Sequence, residues 1–304
     1  VALMIFLLMV TYLYTQAGPI HDQHAMAAKL NWWAHALLIL GFPSLILRSK
    51  HFHLIMAPVA IFFRTERLGE MKPLDLDLEA LEESDEEEEP KLGLEDLGTL
   101  SWKQRMDFLT CVECRRCTDH CPANLSQQEL DPRGFVLDGR HSIEEKEDSE
   151  PVIGNVISEM ALGQCTSCGA CESICPVGIE HLQVLMGAKQ AQALALGTGV
   201  VAGDFLRDVE RTGNALGKPK SERRKRIEEL EIPYFEPGET EWLLWMGCIW
   251  SYDPDSRAAV EATVELLKRA DVSFGVLKQE HCSGHHSRRQ GEEMQFQTLA
   301  GENL

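Results

Sequence analysis

Positive charge is scarce in this chain. Its 304 residues carry 29 Lys and Arg against 48 Asp and Glu, a formal net charge of -19. A phosphate-binding surface needs the reverse balance, so nucleic acid is excluded as a partner. The chain also lacks a basic run ahead of its first apolar stretch, Val1 to Tyr14, which excludes an ordinary secretory signal. No acid–base pair or activated nucleophile stands out, so no bond-making chemistry is expected of this piece. Val1 lies inside an apolar run and Leu304 inside a helix-like pattern, so the chain is expected to be a fragment, or one piece of a split protein. The acidity is concentrated. Twelve Asp or Glu and the single Lys91 lie between Asp75 and Asp96, a local net of -11. Such a block is expected to be a solvated linker.

Cysteine is what the chain does have, ten in all. Eight fall in two tight sets: Cys111, Cys114, Cys117 and Cys121 before Pro122, then Cys165, Cys168, Cys171 and Cys175 before Pro176. Each set reads C-x2-C-x2-C-x3-C-P, the bacterial ferredoxin run. A long chain with metal-ligand spacing points to a reducing compartment rather than to a disulfide scaffold. Three thiolates on one turning loop each bond one iron of a cubane, and the fourth ligates the other cluster. Cys111, Cys114, Cys117 and Cys175 are therefore expected to hold one [4Fe–4S] cluster, and Cys165, Cys168, Cys171 and Cys121 the second. Zinc also takes four thiolates, but its sites pair two C-x2-C knuckles across a longer gap.

Two apolar stretches open the chain, Val1 to Tyr14 and Ala25 to Leu47, separated by a polar bend with Gly18 and Pro19. They predict two membrane helices, with Trp32 and Trp33 at a membrane–water interface. Arg48, Lys50, Arg64 and Arg67 crowd the far side, which the positive-inside rule makes cytoplasmic. The shorter apolar run Leu54 to Phe63, interrupted by Pro58, reads as interfacial. His35 and His53 are 18 residues apart, five helical turns and roughly 27 Å if one helix carries both. That places them where axial ligands of two stacked b-type haems would sit.

Ser101 to Leu109 reads as a short helix capped by Ser101 and leading into the first cysteine set, and Pro122 to Glu150 as a loop-rich insert between the sets. Beyond the second cysteine set, His181 to Arg211 has helical character and a charged connection runs to Pro237. Glu241 to Met246 and Phe274 to Leu277 then read as strands around an amphipathic helix, Ser256 to Ala270, with a further helix from about Arg288. This β-α-β-α order predicts a small α/β domain. It holds the last two cysteines, Cys248 after Gly247 and, 34 residues later, Cys282 before Ser283-Gly284.

Several of these stretches resemble known families. Trp32-Trp33-Ala34-His35 through His51-Phe52-His53, Ala57-Pro58 and Phe63-Arg64 resemble the end of the cytochrome b subunit of respiratory nitrate reductase. The resemblance implies that His35 and His53 each ligate haem b. Gly247-Cys248 with Cys282-Ser283-Gly284 resembles the first half of the cysteine-rich domain of heterodisulfide reductases. It departs from it at Ser283, where that family has a second Cys, and in lacking the downstream half, so a further cluster on Cys248 and Cys282 would require a completed domain. Taken together, and with Trp102-Lys103-Gln104 and Pro176-Val177-Gly178-Ile179-Glu180-His181, the chain resembles membrane-bound Fe–S oxidoreductases of the heterodisulfide reductase type. The nearest group is the one proposed to pass electrons from electron transfer flavoprotein to menaquinone.

The expected architecture is multidomain: a transmembrane α-helical anchor over 1–68, an acidic linker over 69–98, an α-helical 2[4Fe–4S] ferredoxin-like domain over 99–237, and the N-terminal half of a cysteine-rich α/β domain over 238–304. The expected function is electron transfer at the cytoplasmic (inner) membrane. The clusters face the cytoplasm, a flavoprotein such as electron transfer flavoprotein or a flavin dehydrogenase donates, and haem b and the quinone pool accept. One alternative is a haem-free Fe–S anchor subunit of a glycerol 3-phosphate, 2-hydroxy acid or heterodisulfide oxidoreductase. Another is a non-redox structural or regulatory Fe–S protein.

Overall fold

A computed structural model describes residues 1–17, 26–47, 49–66, 93–145, 149–196 and 203–304. Most of the polar bend and of the acidic block lies outside the described residues. Helices α1 (Ala2–Ala17) and α2 (Met26–Leu47) pack side by side. At 1.5 Å per residue they are about 24 and 33 Å long. Among the described residues only α2, with a mean hydropathy of 1.5, is both long and apolar enough to cross a membrane. Asn31 ties the pair together, its Nδ2 donating to the Thr11 carbonyl at 3.0 Å and to Thr15 Oγ1 at 2.9 Å. Side-chain bonds of this kind hold helices together where lipid replaces water and apolar burial gives no drive. The outer faces are bare, with Leu40 73% exposed.

α2 does not continue to His53. The Ser49 hydroxyl accepts the His51 N–H at 3.2 Å and starts a tight turn, Lys50–Phe52. A new helix, α3 (His53–Phe62), begins there. His35 and His53 therefore sit on different helices, and the single-face, five-turn separation expected from spacing does not form. A serine that caps a new turn outweighs the continuity of apolar residues. α3 buries Ala60 completely and turns Ala57 toward the core of the next unit.

That unit starts at α4 (Trp102–Thr110), capped as the sequence suggested: Gln104 N–H donates to Ser101 Oγ at 3.3 Å, and Ser101 N–H to Gln104 Oε1 at 2.8 Å. The stretch Pro122 to Glu150, expected to be loop-rich, contains a 14-residue helix, α5 (Pro132–Glu145). Phe135, Val136, Gly139 and Ser142 are buried along it, at the three- and four-residue spacing of one helix face. α6 (His181–Leu196) completes the core with Val184, Leu185 and Ala188, packed with Leu97, Phe108 and Leu162. Phe108 meets Phe135 edge-on at 5.5 Å. A Cβ on Gly139 would come within 2.5 Å of Phe108 Cε1. Gly139→Ala should therefore cost about 1–3 kcal/mol through overpacking. Denaturant unfolding of the cluster-loaded protein checks this, and an unchanged midpoint would contradict it.

The rest of the chain forms a second packed unit. α7 (Gly203–Thr212) and α8 (Lys220–Glu229) precede β1 (Trp242–Leu243), α9 (Gly247–Tyr252), α10 (Arg257–Arg269), β2 (Phe274–Gly275), α11 (His285–Arg289) and α12 (Glu293–Asn303). The two short strands are parallel, with Trp242 opposite Phe274. The charged connection contains a helix, α8, because its arginines are buried as caps for other segments. Arg226 Nη1 donates to the carbonyls of Trp250 (2.7 Å) and Asp253 (2.9 Å), and Arg223 Nη2 to that of Leu277 (2.9 Å). Ile227 and Ile232 share a core with Val260, Val264, Phe274 and Val276. A boundary drawn after Pro237 from composition thus falls inside this core.

Candidate metal centre

The two cysteine loops have the same backbone path. In the first, Glu113 (φ 57°) and Arg115 (φ 68°) are left-handed, and in the second Ser167 (φ 54°) and Gly169 (φ 75°) are. Each path then closes with a four-residue helical turn, Arg116–Asp119 or Ala170–Ser173, and the two turns touch. Left-handed non-glycine residues cost on the order of 1 kcal/mol each and persist where a site requires them. Here the strain turns backbone N–H groups inward: Glu113 donates to the Cys111 sulfur and Ser167 to the Cys165 sulfur.

The last cysteine of each loop lies near the other loop. One cavity is lined by Cys111, Cys114 and Cys117 from the first loop and Cys175 from the second, with Ile179 and His181 behind them. Ile179 N–H donates to Cys175 Sγ at 3.4 Å. On the other side Cys165 lies within electrostatic reach of Cys168 and of Cys121 from the opposite loop. Among the described residues no three Cys, His, Asp or Glu side chains converge on a single-ion point. Thiols spread around a cavity suit a cubane, in which each takes its own iron. All ten cysteines are free. Burial pushes up the thiols of Cys111, Cys165 and Cys171, and that of Cys117 to about 11. These thiols stay neutral until a cation replaces the proton. His181, fully buried, is driven down to about 4 and is a neutral wall whose Nδ1–H faces the Ile179 carbonyl at 3.1 Å.

A polar network absent from the sequence reading braces this cavity. Lys103 Nζ contacts Asp107 at 2.7 and 2.8 Å and Glu180 at 3.3 Å. Asp107 accepts the Glu180 N–H at 3.2 Å, and Glu180 accepts the Thr65 N–H at 2.9 Å. Burial raises the Asp107 carboxyl to about 6 despite Lys103. The folded state therefore binds the Asp107 proton more tightly than the unfolded chain does. The stability this proton contributes is complete below the unfolded pKa near 4 and is lost as pH rises through about 6. Asp107→Asn removes that dependence. The variant should gain about 1 kcal/mol on the natural chain between pH 5 and 7, read from paired denaturant melts. Parallel curves would contradict it.

Cys248 and Cys282 do come together, in hydrogen-bond contact and packed with Val209, Phe205 and Leu299. The Cys248 S–H donates and draws the Cys282 thiol down to about 6, while Cys248 itself is raised. The pair supplies two thiols, where a [4Fe–4S] cluster takes four. The residue that organises this pair, Glu280, gave no motif. Its carboxylate accepts the N–H groups of Met246 (3.3 Å) and Gly247 (2.6 Å) and pairs with Arg223 at 3.1 Å. Its position just before His281-Cys282 was the one available signal.

In the anchor, Thr11 Oγ1 donates to the Leu7 carbonyl at 2.9 Å and meets His35 Nδ1 at 2.8 Å. This contact links α1 to α2 one turn from the bonds that Asn31 makes. His53 lies on α3, stacked at 6.4 Å on His51.

Comparison with known proteins bears on the cysteine loops directly. Residues 106–179 match the 4Fe-4S dicluster domain family. The chain is 32% identical, over 92% of its length, to the probable iron-sulfur-binding oxidoreductase FadF of Bacillus subtilis, of which it covers 46%. It is 27% identical over 93% of its length to the EtfAB:quinone oxidoreductase of Syntrophomonas wolfei, covering 44% of it. Over 80% of its length it is 29% identical to a probable membrane-anchored ferredoxin of Chromohalobacter salexigens, covering 39%. The chain spans less than half the length of these curated relatives. No solved structure matches it. The chain thus carries a 4Fe–4S dicluster domain and is related to iron–sulfur oxidoreductases.

Proposed function

We propose that this chain is the membrane-anchored electron-transfer segment of a quinone-linked oxidoreductase. A reduced flavoprotein in the cytoplasm, of the electron transfer flavoprotein type, is oxidised, and a quinone in the membrane takes up the electrons with protons from solvent. When bound, the two [4Fe–4S] clusters supply one-electron transfer. The observation that carries this reading is Cys175 of the second loop lining one cavity with Cys111, Cys114 and Cys117 of the first, in a chain whose α2 is long enough to span a bilayer. Cys111, Cys114, Cys117 and Cys175 hold one cluster, and Cys165, Cys168, Cys171 and Cys121 the other. The inward N–H groups and Ile179 N–H offset the negative charge of the buried sulfurs, and the apolar core excludes water. The basic residues that follow α2 in the sequence, with Arg64, support a cytoplasmic location for this unit. The relatives named for quinone and for membrane anchoring support the acceptor and the location.

His35, held against Thr11 at 2.8 Å between α1 and α2, is the anchor's haem b ligand in this reading. A haem-free anchor subunit of a glycerol 3-phosphate, 2-hydroxy acid or heterodisulfide oxidoreductase is favoured by one observation, the helix break that separates His53 from His35. Anaerobic dithionite titration of the purified membrane form, followed optically and by EPR, decides. Two coupled cubane signals with b-type haem bands support the first reading, cubane signals alone the second, and zinc without inorganic sulfide overturns both.

A further inference from the structure

The two cysteine sets do not have equivalent surroundings. The set of Cys111, Cys114, Cys117 and Cys175 is gripped by the membrane side of the chain. α3 packs on α4, which runs directly into Cys111, and Phe63 meets Trp102 edge-on at 5.1 Å. Arg64 lies across Gly178, so closely that a Cβ there would stand 2.7 Å from Arg64 Cδ. Thr65 N–H then donates to Glu180 at 2.9 Å. Gly178 and Glu180 belong to the turn that follows Cys175, so both ends of this ligand set touch the segment leaving the membrane.

The other set is gripped from the opposite end of the chain. Lys189 Nζ bridges the carbonyl of Cys165 at 2.8 Å and that of Arg289 at 3.2 Å. The Arg289 guanidinium donates to the carbonyl of Thr166, inside the second loop. Gly291, at φ 89°, brings its backbone so close to Lys189 that a Cβ would meet the Lys189 carbonyl oxygen at 2.3 Å. The C-terminal unit therefore sits on the Cys165 loop, as α3 sits on the elements leading to and from Cys111 and Cys175.

We infer that the set Cys111, Cys114, Cys117 and Cys175 is the membrane-proximal redox site, that Cys165, Cys168, Cys171 and Cys121 form the distal one, and that the C-terminal unit of α11 and α12 covers the distal site on the donor side. This inference rests on the proposed function and gives that function a direction. Electrons reach the distal site first, and the last step before the membrane leaves from the site braced by Lys103, Asp107 and Glu180. Arg64, against the turn after Cys175, is a positioning residue for the proximal site.

The test uses the full chain, loaded with clusters and bound to phosphatidylcholine vesicles that carry a headgroup-chelated gadolinium lipid. Cys168→Ala retains the proximal site and Cys114→Ala the distal one. Microwave power saturation of the reduced signal should show several-fold greater relaxation enhancement by gadolinium in Cys168→Ala than in Cys114→Ala. Equal or reversed enhancement overturns the inference. A second measurement keeps all eight cysteines: in a potentiometric EPR titration, Arg64→Glu should lower one midpoint only, that of the gadolinium-sensitive signal. A shift of the insensitive signal, or of neither, overturns it as well. A chain with no cubane signal, or one that does not bind vesicles, instead strikes the proposed function and takes this inference down with it.

Discussion

Cys175→Ala should empty the same cluster as Cys114→Ala, although Cys175 stands in the other loop's sequence. Iron in the anaerobically prepared protein should fall from about eight to about four atoms per chain in either variant. The two variants should also retain the same EPR signal. Combining them should remove no more iron than each alone, whereas Cys175→Ala with Cys168→Ala should leave almost none. The physical ground is reach. Cys111, Cys114 and Cys117 line one cavity together with Cys175, and a short loop cannot wrap its own fourth cysteine round to the last iron. Cys121→Ala should correspondingly share its loss with Cys168→Ala. If Cys175→Ala and Cys168→Ala instead strip the same signal, each loop holds its own cluster and the exchange is wrong.

The eight cysteines were legible because ligand chemistry fixes their spacing whatever surrounds them, and the matched 4Fe-4S dicluster family over residues 106–179 agrees with that reading at the level of the domain. The Ser101 cap was legible for a similar reason, since Ser101 and Gln104 satisfy each other's backbone within one turn. What the sequence hid depends on distant partners. Arg223 and Arg226 sit in a run that composition marks as solvated, yet both are buried against carbonyls 24 to 55 residues away. α5 was missed because Pro132 and Gly139 weaken its local signal, while its buried face matches Phe108 in another helix. His35 and His53 fit one helix by arithmetic, and one hydroxyl, that of Ser49, ended the helix between them. Asp107 belongs to no motif, and its role, like that of Glu180 within the Pro176–His181 stretch, appears only once α3 returns to α4.

Glu280→Ala should be the most damaging single change outside the cysteine sets. Glu280 and Arg223 have side chains only 2% and 6% exposed. Truncating one partner leaves the other charge buried without compensation, which costs about 3–5 kcal/mol. The same change strands the N–H groups of Met246 and Gly247, which the carboxylate accepts at 3.3 and 2.6 Å. Because Gly247 (φ 62°) turns the chain into Cys248, and Glu280 lies just before Cys282, loss of the clamp also frees the thiol pair. Hydrogen exchange in peptides covering 244–252 and 278–284 should rise by orders of magnitude, and Cys248 should alkylate faster. Glu280→Gln keeps acceptors for the two N–H groups and should fall between. Arg223→Met with Glu280→Leu removes both charges together and should cost less than the sum of the single changes, since neither ion is then left alone. Strictly additive costs, or exchange unchanged in Glu280→Ala, would show that the pair is not what holds Cys248 against Cys282.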